Sequence, residues 1–454
     1  MPKKKTALTI EERLQQALVP AEEQPYEVPE NWVWVRLESV ASWGSGGTPS
    51  RKHEEYYNGD ILWIKTGELN NGWIYDTEEK ITDEGLKKSS AKLFLPYSVL
   101  IAMYGATIGK VAILGVPATT NQACACAVCN QSLLYMYLFY YCISQKNVFI
   151  EKGKGGAQPN ISQIILKQHP IPLPPLSEQQ RIVERIEELF AKLDEAKERL
   201  QEVVDSFAVR KAAILHKAFT GELTKQWRRE NGVSDASWEE KTIGEICSSL
   251  KYGTSKKSSD DGEVVVLRMG NLQNGEIDWS NLAYTSDEED IKKYLLKSGD
   301  VLFNRTNSPE LVGKTSIYRG EMPAIYAGYL IKLDYEKNIV VGDYLNYYLN
   351  SSKAKEYYMQ VKTDGVSQSN INAKKIGEFE IPLPSLSEQH EIVRLIDDLL
   401  ARERAAQQAT EQALASIDLM KKSILARAFR GELGTNKASE ASALELLWQV
   451  LAEN

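Results

Sequence analysis

The chain has 454 residues, which is too long for one hydrophobic core and predicts at least two domains. Its hydrophobic content of 43% and charged content of 26% are ordinary for a globular protein, and its most apolar run is too short to span a bilayer. The net charge of −8 disfavours a protein that binds nucleic acid through a broadly basic surface. The charged first residues do not resemble a secretory signal, and five cysteines without such a signal predict a cytoplasmic protein with free thiols and no membrane partner.

The acidic residues are not spread evenly along the chain. Residues 31–165 carry 12 Lys and Arg against 11 Asp and Glu, and residues 231–375 carry 18 against 21. Residues 376–454 carry 8 against 13, so this predicted helical part is the most acidic. Any affinity for DNA must therefore come from local loops or from a partner.

The first elements in chain order are a helical arm and a globular domain. The run LLYMYLFYYCI at 133–143 predicts a buried helix. QACACAVCN places Cys124, Cys126 and Cys129 close together, but no nearby histidine completes a four-ligand metal site. The interpretation favoured here is a strand whose small thiols face inward, with no metal bound.

The stretch IPLPPLSEQ at 171–179 opens a long helix. Its alternating prolines predict an extended segment, after which Ser177 is the expected N-cap, with Gln180 completing a capping box. Gly221 is the expected helix stop, so the predicted helix has about 40 residues and a length of roughly 60 Å. Apolar residues at alternating spacings of three and four predict a coiled-coil seam. In the partner-facing set we include Ile186, Leu189, Leu193, Leu200, Val203 and Phe207.

The same helix is repeated 210 residues later. Residues 381–433 match residues 171–223 at 23 of 53 positions, from IPLPSLSEQ with Ser387 as the expected cap to AFRGEL with Gly431 as the stop. The second seam is thinner, because two of its seven positions are polar and two are alanine, and its partner-facing residues are Ile396, Leu399 and Ile417. A strong seam opposite a thin one predicts that the two helices pair with each other.

The regions before the helices also correspond, so the chain is two copies of a globular domain followed by a long helix. IKTGELNNG at 64–72 resembles LRMGNLQNG at 267–275, and YLFYY at 137–141 returns as YLNYY at 344–348. The predicted class is α+β, with two pseudo-repeated α/β domains separated by two long antiparallel coiled-coil helices. The predicted boundaries are a helical arm at 1–30, domains at 31–170 and 231–380, helical spacers at 171–230 and 381–433, and a C-terminal helix at 434–454.

Catalytic motifs are not found in the sequence. GKV at 109–111 and GKT at 313–315 lack the glycine that a phosphate-binding loop needs five residues earlier. We find no metalloprotease, serine-hydrolase or calcium-binding motif, and no adenine-methyltransferase motif. The sequence therefore predicts a chain without catalytic residues and without a bound cofactor.

The loops instead carry polar side chains suited to DNA. Asn and Gln can read adenine, Arg and Lys can read guanine, and hydroxyl groups can hold phosphates. The candidates in the first domain are Thr48, Ser50, Arg51, Lys65, Asn70, Asn71, Tyr104, Lys110, Asn121, Gln122, Gln158 and Asn160. Those in the second domain are Thr254, Lys256, Arg268, Asn271, Asn274, Asn304, Arg305, Asn307, Lys314, Gln368 and Asn370. The two sets differ on a shared scaffold, as expected if each reads a different short sequence.

Two variable domains, each followed by a helix that IPLPxLSEQ opens and AFxGEL closes, resemble the specificity subunit of a type I restriction-modification system. The resemblance covers nearly the whole chain. It implies that each target recognition domain reads one half of a bipartite site in double-stranded DNA. It also implies that the coiled coil sets the spacer and docks two modification (methyltransferase) subunits, which restriction subunits join.

By this resemblance, S-adenosylmethionine, ATP and Mg²⁺ belong to the partner subunits. The helices near the two ends, at 10–18 and 443–454, are expected to pack together or onto a modification subunit. Two other functions stay open from the residues alone: a standalone DNA-binding module or one from another modification system, and a coiled-coil scaffold that binds proteins.

Overall fold

The structure is a computed structural model that describes residues 9–153, 160–366 and 368–453. The chain forms two compact units. Unit 1 consists of Met1–Arg199 with Ala413–Asn454, and unit 2 of Leu200–Gln412. Each unit contains one globular domain with sheets and short helices, and the two long helices each contribute to both units. The predicted α+β class is confirmed.

The first half of the chain contains eight helices among the described residues: α1 (Ile10–Ala17), α2 (Leu37–Val40), α3 (Asp83–Lys87), α4 (Tyr135–Ser144), α5 (Lys146–Lys152), α6 (Gln163–Lys167), α7 (Leu176–Phe219) and α8 (Lys225–Glu230). Its strands are β1 (Val33–Arg36), β2 (Ala41–Ser45), β3 (Tyr57–Ile64), β4 (Trp73–Ile74), β5 (Lys80–Ile81), β6 (Val99–Ala102), β7 (Val111–Leu114), β8 (Thr119–Thr120), β9 (Cys124–Cys129) and β10 (Pro170–Leu173).

The second half has the helices α9 (Ile243–Ile246), α10 (Glu288–Tyr294), α11 (Gly342–Leu349), α12 (Ser352–Val361), α13 (Ala373–Gly377), α14 (Leu386–Ala428) and α15 (Ala443–Glu453). Its strands are β11 (Glu239–Thr242), β12 (Cys247–Tyr252), β13 (Val264–Leu267), β14 (Leu272–Gln273), β15 (Glu276–Ile277), β16 (Tyr284–Thr285), β17 (Val301–Asn304), β18 (Thr306–Asn307), β19 (Thr315–Ile317), β20 (Ala324–Tyr326), β21 (Leu330–Tyr335), β22 (Thr363–Asp364), β23 (Ser369–Asn370) and β24 (Glu380–Leu383).

Unit 1 is built on a five-stranded sheet of order β2-β9-β6-β7-β4. Strand β9, between β2 and β6, is buried on both faces, because Ala125 and Ala127 join the core under α4 while Cys124 and Cys126 join a second core on the other face. The cysteine-rich segment is therefore a strand, as predicted, and α4 is the predicted buried helix. Burial raises the pKa of the Cys126 thiol to about 12, so it stays protonated.

Unit 2 repeats this plan with the four-stranded sheet β12-β21-β17-β19 and a three-stranded sheet β16-β13-β20. Helix α11 takes the place of α4, and Tyr344 and Tyr348 are fully buried in the core. Both tyrosines form T-shaped ring pairs with Phe219 at the end of α7, with ring centroids 5.3 and 5.0 Å apart. In unit 1, Phe429 makes the same pairs with Tyr137 and Tyr141 at 5.2 and 5.0 Å.

Each proline-rich segment is the extended lead-in that the sequence predicts, but the predicted serine caps are wrong. The segments form β10 and β24, which pair with β1 and β11. Helices α7 and α14 begin at Leu176 and Leu386, so Ser177 and Ser387 already lie inside the first turn. Ser385 accepts the Glu388 N–H at 3.4 Å, and Gln180 bonds Glu184 in place of a capping box.

The glutamines that the two repeats share, Gln179 and Gln389, hold each domain to its helix. Gln179 is fully buried, accepts the Leu134 N–H at 2.8 Å and donates to the Ser132 carbonyl at 2.9 Å. Gln389 accepts the Val341 N–H at 2.8 Å and donates to the Ile339 carbonyl at 3.0 Å. These amides satisfy the backbone groups at the start of α4 and α11, so the joint between domain and helix is rigidly defined.

The glutamates that the two repeats share, Glu178 and Glu388, are also fully buried, and each binds the segment that follows a long helix. In unit 1, the Glu178 carboxylate accepts from Trp32 Nε1 at 2.7 Å and from Asn436 Nδ2 at 2.9 Å. In unit 2, Glu388 accepts from Thr224 Oγ1 at 2.6 Å and from Arg228 Nη1 at 2.7 Å. Residues near 436 follow α14 and residues near 228 follow α7. Each unit is thus closed by the tail of the other repeat.

Helices α7 and α14 pack together as an antiparallel coiled coil. In unit 1 Lys421 pairs with Asp194 at 2.5 Å, and in unit 2 Arg210 pairs with Glu403 at 2.8 Å. Glu403 is one of the polar residues of the thin seam, and the ion pair with Arg210 gives its carboxylate a partner there. Of the predicted seam, Ile186, Phe207, Ile396 and Ile417 are buried, and Leu189, Leu193, Leu200 and Leu399 are half-buried. Val203 is 38% exposed and the neighbouring Val204 is turned inward, because the seam takes a four-residue step there.

Helices α1 and α15 pack together in unit 1, which is one of the two arrangements expected from the sequence. Arg13 Nη1 donates to the Leu451 carbonyl at 3.3 Å, and Ala17 and Leu447 share the core. Gly221 and Gly431 follow the long helices with φ of 75° in both cases, as predicted for helix stops. Within the described ranges, no helix combines the length and hydropathy that crossing a bilayer requires.

A buried histidine makes unit 1 sensitive to acid. Burial and the neighbouring Lys152 lower the pKa of His169 from 6.5 to about 3, and Lys152 Nζ lies 3.1 Å from His169 Nδ1. Because the folded protein takes up this proton less readily than the unfolded chain, we expect pH 5 to reduce the free energy of unfolding by about 2 kcal/mol relative to pH 7. His169→Gln should remove this component in urea denaturation at both pH values, whereas substitution of the exposed His216 should not. Equal pH dependence in all three proteins would contradict the expectation.

Candidate nucleic-acid interface

Loops from four neighbouring strands of the unit 1 sheet meet at one edge. β2 ends there at Ser45 and β6 at Ala102, while β9 and β7 begin there at Cys124 and Val111. Neighbouring antiparallel strands run in opposite directions, so the end of one lies beside the start of the next. We call this surface the first loop edge, and it consists of residues 46–51, 103–110, 121–122 and 160.

The first loop edge is held by close backbone contacts. Gly47 N donates to the Thr120 carbonyl at 2.9 Å, and Trp63 Nε1 donates to the Gly47 carbonyl at 2.9 Å. A Cβ at Gly46 would lie 1.9 Å from the Thr120 carbonyl oxygen, so only glycine fits. The chain after Gly47 is therefore fixed, and Thr48 and Arg51 are presented from a defined backbone.

The exposed candidates at this edge form a polar surface with one aromatic ring. Thr48 donates to the side chain of Gln122, and both are exposed. Tyr104 is 47% exposed and pairs with Asn160 across a backbone bridge. Ser50 is also exposed. Hydroxyl and amide groups beside a ring face can contact phosphates, base edges and stacked sugar or base surfaces.

Two cationic candidates of the first domain, Arg51 at the first loop edge and Lys65 outside it, are paired with carboxylates in the free chain. Arg51 lies 2.7 Å from Glu79 and stacks 4.4 Å from the Tyr57 ring centroid. Lys65 lies 3.1 Å from both Glu78 and Glu79. The hydrogen bond that Arg51 donates to the Glu79 carboxylate raises the pKa of Arg51. Exposed pairs of this kind contribute at most about 1 kcal/mol, so a DNA phosphate or base can displace the carboxylate.

The remaining candidates of the first domain shape turns. Asn71 adopts φ of 60° and accepts the Val111 N–H at 3.3 Å, and Asn121 accepts the Ala123 N–H at 3.2 Å. Asn70 is exposed in the same turn as Asn71, and Lys110 is half-buried. Gln158 lies outside the described residues.

Unit 2 presents an equivalent surface. β12 and β17 end at Tyr252 and Asn304, and β21 and β19 begin at Leu330 and Thr315. We call residues 252–257, 305–308, 327–329 and 368–370 the second loop edge. Its loop is fixed in the same way as the first, because a Cβ at Gly253 would lie 2.1 Å from the Tyr326 carbonyl oxygen.

Arg305 is the most prominent cation of the second loop edge. Its guanidinium stacks 4.8 Å from the Tyr252 ring centroid, and Nη1 donates to the Gly328 carbonyl at 3.3 Å. Its Nε is buried and has no hydrogen-bond partner among the described residues, and in that part of the chain Arg305 joins no salt bridge. Tyr252 and Tyr329 beside it are 41% and 49% exposed. A guanidinium that stacks on an exposed tyrosine and has no carboxylate partner among the described residues is suited to a bidentate contact with guanine or phosphate.

Three candidates of the second domain lie beneath the surface and support its loops. Thr254 is 5% exposed and donates to Asp290. Asn271 is 3% exposed and donates to the Asp278 carbonyl at 2.9 Å, and Asn304 is fully buried. Polar residue type alone does not distinguish a side chain that faces solvent from one that is buried beneath a loop.

The other candidates of the second domain differ in how far they are free to bind. Lys256 pairs with Asp287 at 2.8 Å, and this contact raises its pKa. Arg268 bonds Asn281 Oδ1 at 3.1 Å, Lys314 bonds Gln273 at 2.9 Å, and Asn370 bonds Thr306 at 2.8 Å. Asn274 and Gln368 are exposed, and Asn307 is half-buried.

The sequence analysis missed two aromatic residues of the second loop edge. The Tyr252 ring stacks on the Arg305 guanidinium, and the Tyr329 carbonyl accepts the Arg305 backbone N–H. Both tyrosines are exposed, although tyrosine is common in the core of this protein. Their position next to a glycine could have indicated that they lie in loops, since Tyr252 precedes Gly253 and Tyr329 follows Gly328. Together the two edges form polar surfaces of different composition on equivalent strands.

Comparison with known proteins agrees with this architecture. The family model "Type I restriction modification DNA specificity domain" matches residues 29–205 and 236–414. The specificity subunit of the type I restriction enzyme EcoKI from Escherichia coli is 27% identical over 94% of this chain and 96% of its own length. The StySPI specificity subunit from Salmonella potsdam is 26% identical over the same shares of the two chains.

Solved structures show the same fold at lower identity. The HsdS subunit from Thermoanaerobacter tengcongensis aligns with a TM-score of 0.63 and 21% identity, over 90% of this chain and all of that one. A chain from a study of complex assembly and conformational transition of the type I R-M system aligns with a TM-score of 0.66 and 21% identity, over the same shares. Because the family model matches twice and covers most of the chain, this protein belongs to the type I restriction modification DNA specificity family, and its role is recognition of a DNA target.

Proposed function

We propose that each domain reads one half of a bipartite double-stranded DNA site through its loop edge. The observation that carries this proposal is the pairing of equivalent scaffolds with different side chains. Gly46 and Gly253 fix equivalent loops in the same way, yet Thr48 and Gln122 lie at one edge and Arg305 with Tyr252 at the other. A shared scaffold with different tips is what two different half-sites require.

The coiled coil then sets the distance between the half-sites. Helices of 44 and 43 residues are about 65 Å long, which is nearly two turns of B-DNA. The buried glutamines and glutamates at the helix starts make each joint stiff. A change in helix length should therefore alter the spacer and leave the half-sites unchanged.

We further propose that this chain has no catalytic role and works in the cytoplasm with partners. Two modification subunits would bring S-adenosylmethionine, and restriction subunits would bring ATP and Mg²⁺. Support comes from the sequence, which has no recognisable catalytic motif, and from the family match. The family match also disfavours a scaffold that binds only proteins.

Equivalent exposed apolar residues on the two long helices are the positions we assign to the modification subunits. Val209 is 70% exposed and Leu419, 210 residues later, is 65% exposed. We expect Val209→Asp and Leu419→Asp each to remove one of two bound modification subunits, because each substitution places a charge in one apolar contact. Native mass spectrometry of the complex measures this, and Gln412→Asp on an exposed helical position is the control. Retention of both subunits in both variants would contradict the assignment.

The experiment that tests the proposed function is co-expression with a candidate modification subunit from the same host. The expected result is a stable complex that methylates adenine at one split motif, as sequencing of modified bases in the host DNA would reveal. Methylation at the same motif without this chain would refute the proposal, and so would the absence of a complex.

A further inference from the structure

The first domain carries an aromatic patch far from its loop edge. Trp73 lies at its centre, with ring centroids 6.2 Å from Tyr75, 6.1 Å from Tyr97 and 5.9 Å from Tyr135. Tyr97 lies two residues before β6, whose other end reaches the first loop edge at Ala102, so the patch lies at the opposite end of the sheet. Tyr75 is 64% exposed and Tyr97 58% exposed, which is unusual for such large rings.

Tyr97 occupies a backbone conformation that favours glycine. Its φ is 69°, and its N–H donates to the Leu114 carbonyl at 2.8 Å. The second domain has Gly299 at this place, with φ of 92° and the equivalent bond to the Tyr318 carbonyl at 2.8 Å. A tyrosine here costs about 1 to 2 kcal/mol of backbone strain while most of its ring stays in solvent. The Tyr97 ring packs against Trp73 and Tyr135, and its exposed surface remains available to a binding partner.

The second domain has ion pairs where the first has the aromatic patch. Ile113 N bonds the Gly72 carbonyl and Ile317 N bonds the Gly275 carbonyl, so Trp73 corresponds to Glu276. Arg319 lies 2.7 Å from Glu276 and 2.7 Å from Asp343, so the charged groups of that surface pair with one another within the domain. A feature present in one repeat only cannot serve a partner that binds both repeats alike. It fits a partner that binds once per chain.

Three carboxylates, those of Glu68, Asp76 and Glu78, line a cleft beside the patch, and two of them pair with lysines. A cleft of about 470 Å³ beside Trp73 and Tyr75 is lined by Glu68, Asn70, Trp73, Ile74, Tyr75, Asp76, Thr77 and Glu78. None of these eight described residues is basic. Asp76 and Glu78 are 75% and 77% exposed, and the pairs they form with Lys80 and Lys65 are weak in water. A ring face next to carboxylates attracts a cation in two ways, through the quadrupole of the ring and through the negative charge of the carboxylates.

We propose that the aromatic patch binds an arginine- or lysine-bearing segment of a protein partner, once per chain. The cationic side chain lies on the exposed rings of Tyr75 and Tyr97, and the carboxylates of Asp76 and Glu78 accept its hydrogen bonds. Arginine fits best, since its planar guanidinium stacks on aromatic rings while its N–H groups donate hydrogen bonds in the plane of the guanidinium. This contact lies outside the residues of the loop edges, and it meets the DNA-binding candidates at Glu78, which pairs with Lys65.

The test uses the full chain and a fluorescein-labelled peptide of five Gly-Arg repeats, with fluorescence anisotropy at about 0.15 M salt. We expect saturable binding of one peptide per chain, weakened about fivefold by Tyr97→Gly and by Tyr75→Ala, because each removes one cation–ring contact. Tyr97→Gly should leave the Tm unchanged or raise it, which separates lost binding from misfolding.

Tyr104→Ala is the matched control, because Tyr104 is an exposed tyrosine at the loop edge. It should leave peptide binding unchanged, and a Gly-Glu peptide should not bind. Equal affinity of the parent, Tyr97→Gly and Tyr75→Ala proteins would overturn the proposal, as would equal weakening by Tyr104→Ala. DNA methylation by the complexes of these variants, measured in parallel, reports on the proposed function independently.

Discussion

Replacing Arg228 by alanine is expected to destabilise unit 2 by about 3 to 5 kcal/mol, because it leaves a buried carboxylate without its counter-charge. Arg228 is 6% exposed and joins Glu388, which is fully buried, at 2.7 Å. It also lies 2.9 Å from Asp235, so it fastens the segment after α7 to the start of α14. Urea denaturation of the full chain should show an early transition for unit 2 only.

Arg181→Ala provides the control in unit 1. Arg181 pairs with Glu440 at 2.8 Å, but both side chains keep more than a fifth of their surface exposed. The buried Glu178 is served instead by neutral donors, Trp32 and Asn436. We therefore expect a loss of about 1 kcal/mol or less. Equal losses in the two variants would show that the burial of Glu388 does not set the cost. The double variant Arg228→Met with Glu388→Gln should recover much of the stability lost in Arg228→Ala.

Arg305→Ala is expected to weaken specific DNA binding by about 10- to 100-fold, which corresponds to about 1 to 3 kcal/mol for a lost bidentate contact. The reason is that the Arg305 guanidinium has no carboxylate partner among the described residues, so none has to be displaced, and that it already stacks on the exposed Tyr252 ring. Binding of the assembled complex to its methylation motif, measured against a competitor with one altered half-site, is the appropriate assay. The loss should concern one half-site.

Two further variants define what the Arg305 result means. Arg305→Lys keeps the charge but not the planar fork, so it should retain nonspecific affinity and lose discrimination. Arg402→Ala removes an arginine that is 73% exposed on α14 and pairs with Asp398, and it should change neither quantity. If Arg305→Ala weakened binding to all sequences equally, Arg305 would contact phosphate alone.

The repeat and the long helices could be predicted because they are written in local sequence patterns. Prolines forbid helix, apolar residues at spacings of three and four form a seam, and glycines end the helices. The cap at the helix start could not be predicted in the same way. Ser177 looked like the cap, but Glu178 and Gln179 do the work of that joint, and their partners Trp32 and Leu134 are far away in sequence.

The seam and the loops show the same limit. The heptad count put Val203 inside, yet the helix takes a four-residue step and turns Val204 inward. Asn271 and Asn304 have the residue type of base readers, but tertiary packing places them under the loops. Tyr329 is of a type that fills the core elsewhere in this chain, but here it faces solvent. Burial depends on neighbours from distant segments, which no local pattern contains.

The division of labour between domains and helices is the central claim, and one exchange experiment tests it. Residues 31–165 would be replaced by the corresponding domain of another family member, and the DNA methylated by the assembled complex would be sequenced for modified bases. The predicted result is a motif in which one half-site is new, while the other half-site and the spacer are unchanged. A motif changed in both halves, or in its spacer, would contradict the account.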